Sequence, residues 1–174
     1  SSSSGVFGKI VYPTGNTSVF AVNEVINGVQ SKPFVSTLSD GTIVVVWQSD
    51  GIDSAGFGIA ARVFGSEGVP LTEQFLVNSQ NQMGDQKNAV VKGSLGSGFV
   101  IAFESIENGQ SDVYARLYDL FGNPIGNDFL VNGSFVLGNQ KISSVIELLS
   151  GKYVVVFEGE GIDSSLSGIG AKVL

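Results

Sequence analysis

Two acidic stretches of the chain have the composition of a ligand-binding loop: DGIDSAG, with Asp50 and Asp53, and EGIDSSL, with Glu160 and Asp163. Carboxylates at this spacing are hard oxygen donors of the kind a calcium ion collects. Asp50, Asp53, Glu160 and Asp163 are therefore the candidate metal ligands, and Ca²⁺ is the one cofactor they suggest. Neither stretch has the EF-hand spacing or the Gly-Gly-x-Gly-x-Asp nonapeptide. A second reading is thus open, in which the Gly and Asp residues satisfy the backbone of a solvated turn. A third stretch, ESIENGQSD, keeps the acids Glu104, Glu107 and Asp112 and loses the motif.

Catalysis finds less to work with. The chain has no His and no Cys, which removes Ser-His and Cys-His relays, a thiolate nucleophile and any thiolate metal site. Two carboxylates can act as a glycosidase pair, but the acids cluster in turns and do not line one cleft. No catalytic residue is assigned, and the chain is read as non-enzymatic. The remaining candidates are Gln30, Gln86 and Gln140, which recur, and the cations Lys9, Arg62, Arg116 and Lys172. The cations read as outward charges that discourage edge pairing or as a ladder for an acidic sugar. Trp47, Tyr114, Tyr118 and Tyr153 would form a sugar-stacking platform if exposed. Asn16 and Asn132 begin Asn-x-Ser patterns that matter only in a eukaryotic secretory setting.

These residues sit in a chain of 174 residues, the length of one well-buried domain. Charged residues are 14% and hydrophobic ones 43%, a balance that favours a packed core over disorder. With 24 Gly, many short strands joined by tight turns are expected. A net charge of −7 repels phosphate backbones and anionic lipid heads, so nucleic acid and membrane surfaces are poor partners. No apolar run is long enough for a membrane helix, so membrane insertion is not expected. The start, SSSSGVFGKI, has neither a basic region nor an apolar one of signal-peptide type.

The elements that position the candidates come as a repeat of about 54 residues. FAVN ends at Asn23 and FLVN ends at Asn78 and again at Asn132; Gln30, Gln86 and Gln140 follow, and Trp47, Phe103 and Phe157 come at a constant distance after them. Each aromatic closes an apolar run (TIVVVWQS, GFVIAFES, KYVVVFEG) introduced by a turn at Ser39-Asp40-Gly41, Gly96-Ser97-Gly98 or Ser150-Gly151. A strand bearing Arg62, Arg116 or Lys172 follows, and VFGKIVY with Lys9 is a fourth copy of it. Every unit thus reads as a four-stranded meander: strand one from the Gln to the turn, strand two the apolar run, strand three with the cation, strand four ending in Val-Asn. Ile43, Val45 and Trp47 point one way and Val44 and Val46 the other, so strand two is covered on both faces. The expected fold is all-β: three four-stranded meander repeats, β-propeller-like, with a β-trefoil-like pseudo-threefold domain as the alternative. Residues 1–5 are a Ser-rich segment. One repeat domain spans 6–174, with units at about 24–78, 79–132 and 133–174 and completing strands in 6–23. The last unit lacks its fourth strand, and VFAVN could supply it, within one chain as circular closure or between chains as strand exchange.

The pattern Q…P.V..L.DG..VV.WQS.G.D over Gln30 to Asp53, followed by G…AR.F…G.P….F.VN over Gly58 to Asn78, resembles the tandem repeats of large secreted and surface proteins of bacteria, often adhesin-like and beside calcium-binding modules. The resemblance covers Val6 to Leu174 and implies an extracellular or cell-surface, non-enzymatic structural or adhesive module that self-associates or is part of a larger surface or fibre-forming protein. The expected partner is the protein itself or neighbouring repeats, as a homo-oligomer or fibre. The alternative is a carbohydrate-binding, lectin-like domain with glycan partners.

Overall fold

The computed structural model describes residues 4–96, 98–135, 137–163 and 166–174. Ser1 to Ser3 of the Ser-rich segment, Ser97 of the second turn, and Ser164 in the second acidic loop lie outside them. The described residues form strands and turns and contain no helix. A first hairpin pairs β1 (Phe7–Val11) with β2 (Thr17–Ala21). The first full unit is β3 (Gln30–Thr37), β4 (Ile43–Asp50), β5 (Phe57–Phe64) and β6 (Phe75–Leu76). The second is β7 (Asp85–Gly93), β8 (Phe99–Glu107), β9 (Gln110–Tyr118) and β10 (Phe129–Leu130), and the third is β11 (Gln140–Glu147), β12 (Tyr153–Gly159) and β13 (Gly168–Val173). Each unit is its own antiparallel sheet, with neighbours in chain order.

The repeat markers fix equivalent places. Gln30, Gln86 and Gln140 stand at the start of strand one, and just beyond each the ladder slips in a bulge, between Ser31/Phe34, Lys87/Val90 and Ile142/Ser144. Lys32 and Asn88 take left-handed φ of 53° and 52° to make it. A bulge of this kind sharpens the local twist of the strand, which lets successive sheets nest. Strand four is shorter than the FxVN pattern suggests. Only two residues pair regularly, and Val77 and Val131 extend the contact through single amide bonds to Ile59 and Val113.

The sheets stack in chain order with one core in each interlayer space. Val6, Val22 and Phe20 of the first hairpin meet Val45, Trp47, Ala60 and Phe64. Val44, Val46, Ile59 and Val63 on the other face of the same sheet meet Val91, Phe99, Ile101 and Phe103 of the next. Val100, Ala102, Val113 and Ala115 then meet Val145, Tyr153, Val155 and Phe157. Strand two is therefore covered on both faces in the first two units, as its unbroken apolar run requires. The middle core is the largest and holds a stacked pair, Phe99 and Tyr118, with ring centroids 4.9 Å apart.

VFAVN does not complete the third sheet. β2, which carries most of it, pairs with β1, and the third sheet ends at β13 among the described residues. Circular closure within one chain is thus not the arrangement of this structure.

Candidate functional site

The Asn that ends each FxVN is the hub of a buried polar cluster. Asn78 is fully buried. Its Oδ1 accepts the Ile59 amide at 2.8 Å, and its Nδ2 donates to Asp53 Oδ2 at 2.9 Å, the Asn81 carbonyl at 3.0 Å and Gln86 Oε1 at 2.7 Å. Asn132 repeats the plan, accepting the Val113 amide at 2.8 Å and donating to Asp112 Oδ1 at 2.8 Å and the Phe135 carbonyl at 2.6 Å. Asn23 accepts the Val6 amide at 2.7 Å and donates to the Val25 carbonyl at 2.7 Å. The side chain extends the strand-three ladder by one rung and ties it to the segment that follows. Burial of Asn132 keeps its Asn-x-Ser pattern out of reach of any modifying enzyme, whereas Asn16 is exposed.

The glutamines at the start of strand one act on local backbone. The Nε2 groups of Gln30, Gln86 and Gln140 donate to the carbonyls three residues earlier, on Asn27, Met83 and Leu137, at 3.1, 2.9 and 3.0 Å. Gln30 Oε1 also accepts the Trp47 indole, Gln86 Nε2 reaches Ser105 Oγ, and Gln140 Nε2 reaches the Glu160 carbonyl.

The acidic loops occupy equivalent places on different sheets, with the second sheet between them. Asp53 is half-buried; besides Asn78 it accepts the Ala55 amide at 3.1 Å. It lies against Gly58 where a Cβ would collide, and Asp163 lies against Gly168 in the same way. Asp50 packs on Gly28, and Glu160 on Gly138. Asp50 and Asp53 are thus not brought together with Glu160 and Asp163, and no group of three or more His, Cys, Asp or Glu that could hold a metal occurs among the described residues. In the second unit the third acidic stretch is no loop at all. β8 and β9 join through Asn108-Gly109, both at positive φ (51° and 80°), the signature of a type I′ hairpin. Asp112 on strand three then supplies the carboxylate that the loop residue Asp53 supplies in the first unit.

Three of the four recurring cations do not face outward as the sequence suggested, whereas Lys9 on β1 is exposed. Arg62 donates from Nε to the Thr72 carbonyl at 2.9 Å and from Nη1 to the Val22 carbonyl of the preceding layer at 3.2 Å, and pairs with Glu24 at 2.5 Å. Arg116 is buried; it bonds the Gly126 carbonyl at 3.1 Å and the Val77 carbonyl of the preceding layer at 3.0 Å. Lys172 reaches the Leu130 carbonyl at 3.3 Å. Arg62, Arg116 and Lys172 each strap their sheet to the end of the sheet before it. Sequence reasoning missed this because strand periodicity gives the face but not what lies beyond it.

Nor do the aromatics form a platform: Trp47, Tyr118 and Tyr153 are buried. Tyr114 is half-buried and reaches a polar cleft, about 250 Å³, shared with Glu107, Asn108 and Asp112. Burial and then the charges of Asp112, Glu107 and Asp128 push its phenol above the ordinary value. Glu104 is a buried carboxylate, accepting Asn88 Nδ2 at 2.8 Å and the Ile142 amide of the third sheet at 3.0 Å. Burial pushes its carboxyl above the ordinary range, and these two hydrogen bonds offset only part of that effect. An apolar concavity of about 300 Å³ lies between the first hairpin and β3–β4, where Gly8, Ile10, Phe20, Pro33, Val35 and Ile43 face one another.

No family model matches the chain and no curated protein matches it. Among solved structures, the chain is similar to an endo-arabinase from Bacteroides thetaiotaomicron, with a TM-score of 0.51 and 14% identity, over 81% of this chain and 55% of that one. The likeness is one of fold: a stack of antiparallel sheets, of which this chain spans about half the length of the enzyme.

Proposed function

We propose that the chain is a non-enzymatic, extracellular or cell-surface structural and adhesive repeat module, built as a β-propeller-like array of four-stranded units that associates with further copies of itself. The observation that carries this reading is the outer face of the third sheet. Ile169 and Val173 are 69% and 56% exposed, while their equivalents in the first full unit, Ile59 and Val63, are 0% and 1% exposed beneath the next layer. A face patterned for a neighbour and left open favours association, since large apolar patches on a lone molecule are unusual. Separate cores between successive layers favour the propeller-like reading over a trefoil-like body, which would share one.

Non-enzymatic character is supported by where the carboxylates are spent. Asp53, Asp112 and Glu104 each hold structural hydrogen bonds. The endo-arabinase likeness bears on the fold alone and assigns no hydrolysis of arabinan to this chain. Light scattering across a concentration series tests the proposal: mass rising above that of the 18.1 kDa chain is expected, and a monomer throughout overturns it. Arabinan hydrolysis that survives repurification would overturn the non-enzymatic part.

A further inference from the structure

The first hairpin holds only the third and fourth strands of a unit, and the space beside it is unfilled in a way the other two interlayer spaces are not. Val35, Val91 and Val145 are equivalent residues of strand one. Val91 and Val145 are 3% and 9% exposed, but Val35 is 58% exposed. What covers Val91 is strand two of the preceding unit, β4, whose Val44 and Val46 share its core. At Val35 the corresponding place is the apolar groove of about 300 Å³, bordered by the edge of β1 that faces away from β2.

β1 and β13 are copies of one strand in one register. β12 pairs with β13 as Val154↔Val173, Val155↔Lys172, Val156↔Ala171 and Phe157↔Gly170. Counting from the shared cation, the matching residues of β1 are Ile10, Lys9, Gly8 and Phe7. β2 already lies on β1 as a fourth strand lies on a third: Gly8↔Phe20 repeats Ala61↔Phe75. β1 is therefore shaped to receive a β12.

We infer that a second copy of this chain completes the first sheet. Its β12 docks antiparallel on the free edge of β1, and β1 takes the place of that copy's β13, giving a four-stranded sheet from β11 and β12 of one copy and β1 and β2 of the other. The inference rests on the self-association proposed above and names its site.

The exchange is nearly neutral in backbone bonds, because one ladder replaces an equivalent one. The gain is apolar. Val154 and Val156 of the arriving strand point where Val44 and Val46 point, and cover Val35 and the groove. What is given up with β13 is the bond from Lys172 to the Leu130 carbonyl, which Lys9 of β1 is placed to replace, and the packing of Leu174; Gly168 and Gly170 bring no inward side chain, and Ile169 and Val173 are already exposed. Phe7 would stand over Phe157 where Gly170 stands now. The second unit shows that this fits once the rings adjust, because Tyr114 and Phe103, at the same two places, stack with centroids 6.0 Å apart. The contact joins unlike surfaces, so it propagates head to tail into a ring or filament.

The test mixes two single-cysteine variants, Ile10→Cys and Val154→Cys, under mild oxidation, beside light scattering of the unmodified chain. The expected result is association, with an Ile10–Val154 cross-linked heterodimer in excess of either homodimer. Val35→Asp, at a surface position of the single chain, is expected to weaken association about tenfold or more without loss of folding, as a lost apolar contact of about 1.4 kcal/mol would do. Association without that heterodimer, or untouched by Val35→Asp, overturns the inference and leaves self-association standing. A chain that stays monomeric overturns both. An intramolecular disulfide in the Ile10→Cys/Val154→Cys double variant, at monomer mass, overturns the inference in favour of closure within one chain.

Discussion

Trp47 Nε1 donates to Gln30 Oε1 at 3.0 Å, joining strand two to strand one through two buried side chains. In the third unit Phe157 stands where Trp47 stands, and Gln140 Oε1 is buried with no partner among the described residues. The pair thus has an internal control. Trp47→Phe is expected to orphan Gln30 Oε1 in the same manner and to cost about 1–3 kcal/mol, read from the urea midpoint by circular dichroism. Trp47 is also the sole Trp, so its emission should be blue-shifted and poorly quenched by acrylamide until the chain unfolds.

Asn78→Ala removes the acceptor of the Ile59 amide and the donor to three oxygens at once. With the site fully buried, destabilisation by about 3 kcal/mol is expected. Asp53→Asn keeps an acceptor for Asn78 and should cost under about 1 kcal/mol. If Asp53 is a turn brace, calcium and chelator leave the melting temperature of the chain unchanged. A rise with calcium that Asp53→Asn abolishes would assign the loop a metal.

Arg116 and Lys172 allow a graded test of the straps. Arg116→Lys keeps the charge and loses one of two carbonyl contacts, the state Lys172 already has, for about 1 kcal/mol. Arg116→Met leaves the Val77 and Gly126 carbonyls unpaired, for about 2–3 kcal/mol. Equal costs for the two variants would mean that the charge contributes nothing.

Glu104 gives the fold a pH dependence of definite sign. Because burial raises its carboxyl value in the folded chain above that in the unfolded chain, the folded state holds the proton more tightly. Its contribution to stability is fully present below the unfolded value and is lost as pH rises through the folded one. Glu104→Gln removes that dependence. Relative to the native chain the variant should gain stability as pH rises above the ordinary carboxylate range, measured as the difference in urea midpoints.

The repeat, the strand order and the double-sided strand two were legible because each follows from local pattern. A period in the sequence, apolar runs and Gly- or Asp-bearing turns are all short-range signals. What escaped depends on neighbours in space. Arg62 and Arg116 sit on strand three as the pattern suggests, but whether such a residue meets water or a carbonyl is decided by the adjacent layer. Asn108-Gly109 was a readable hairpin signal, masked by expecting the acidic loop to recur. Asp112 could not have been matched to Asp53 from sequence, since one lies on a strand and the other in a loop and only the fold brings both to an Asn.

Because Arg62, Arg116 and Lys172 each grip a carbonyl of the layer before, the chain is riveted between layers as well as hydrogen-bonded within them. A pull on its two ends loads these rivets, and each sheet can peel away only after its own has given. Under tension such a stack lengthens in steps, one layer at a time, and holds what remains.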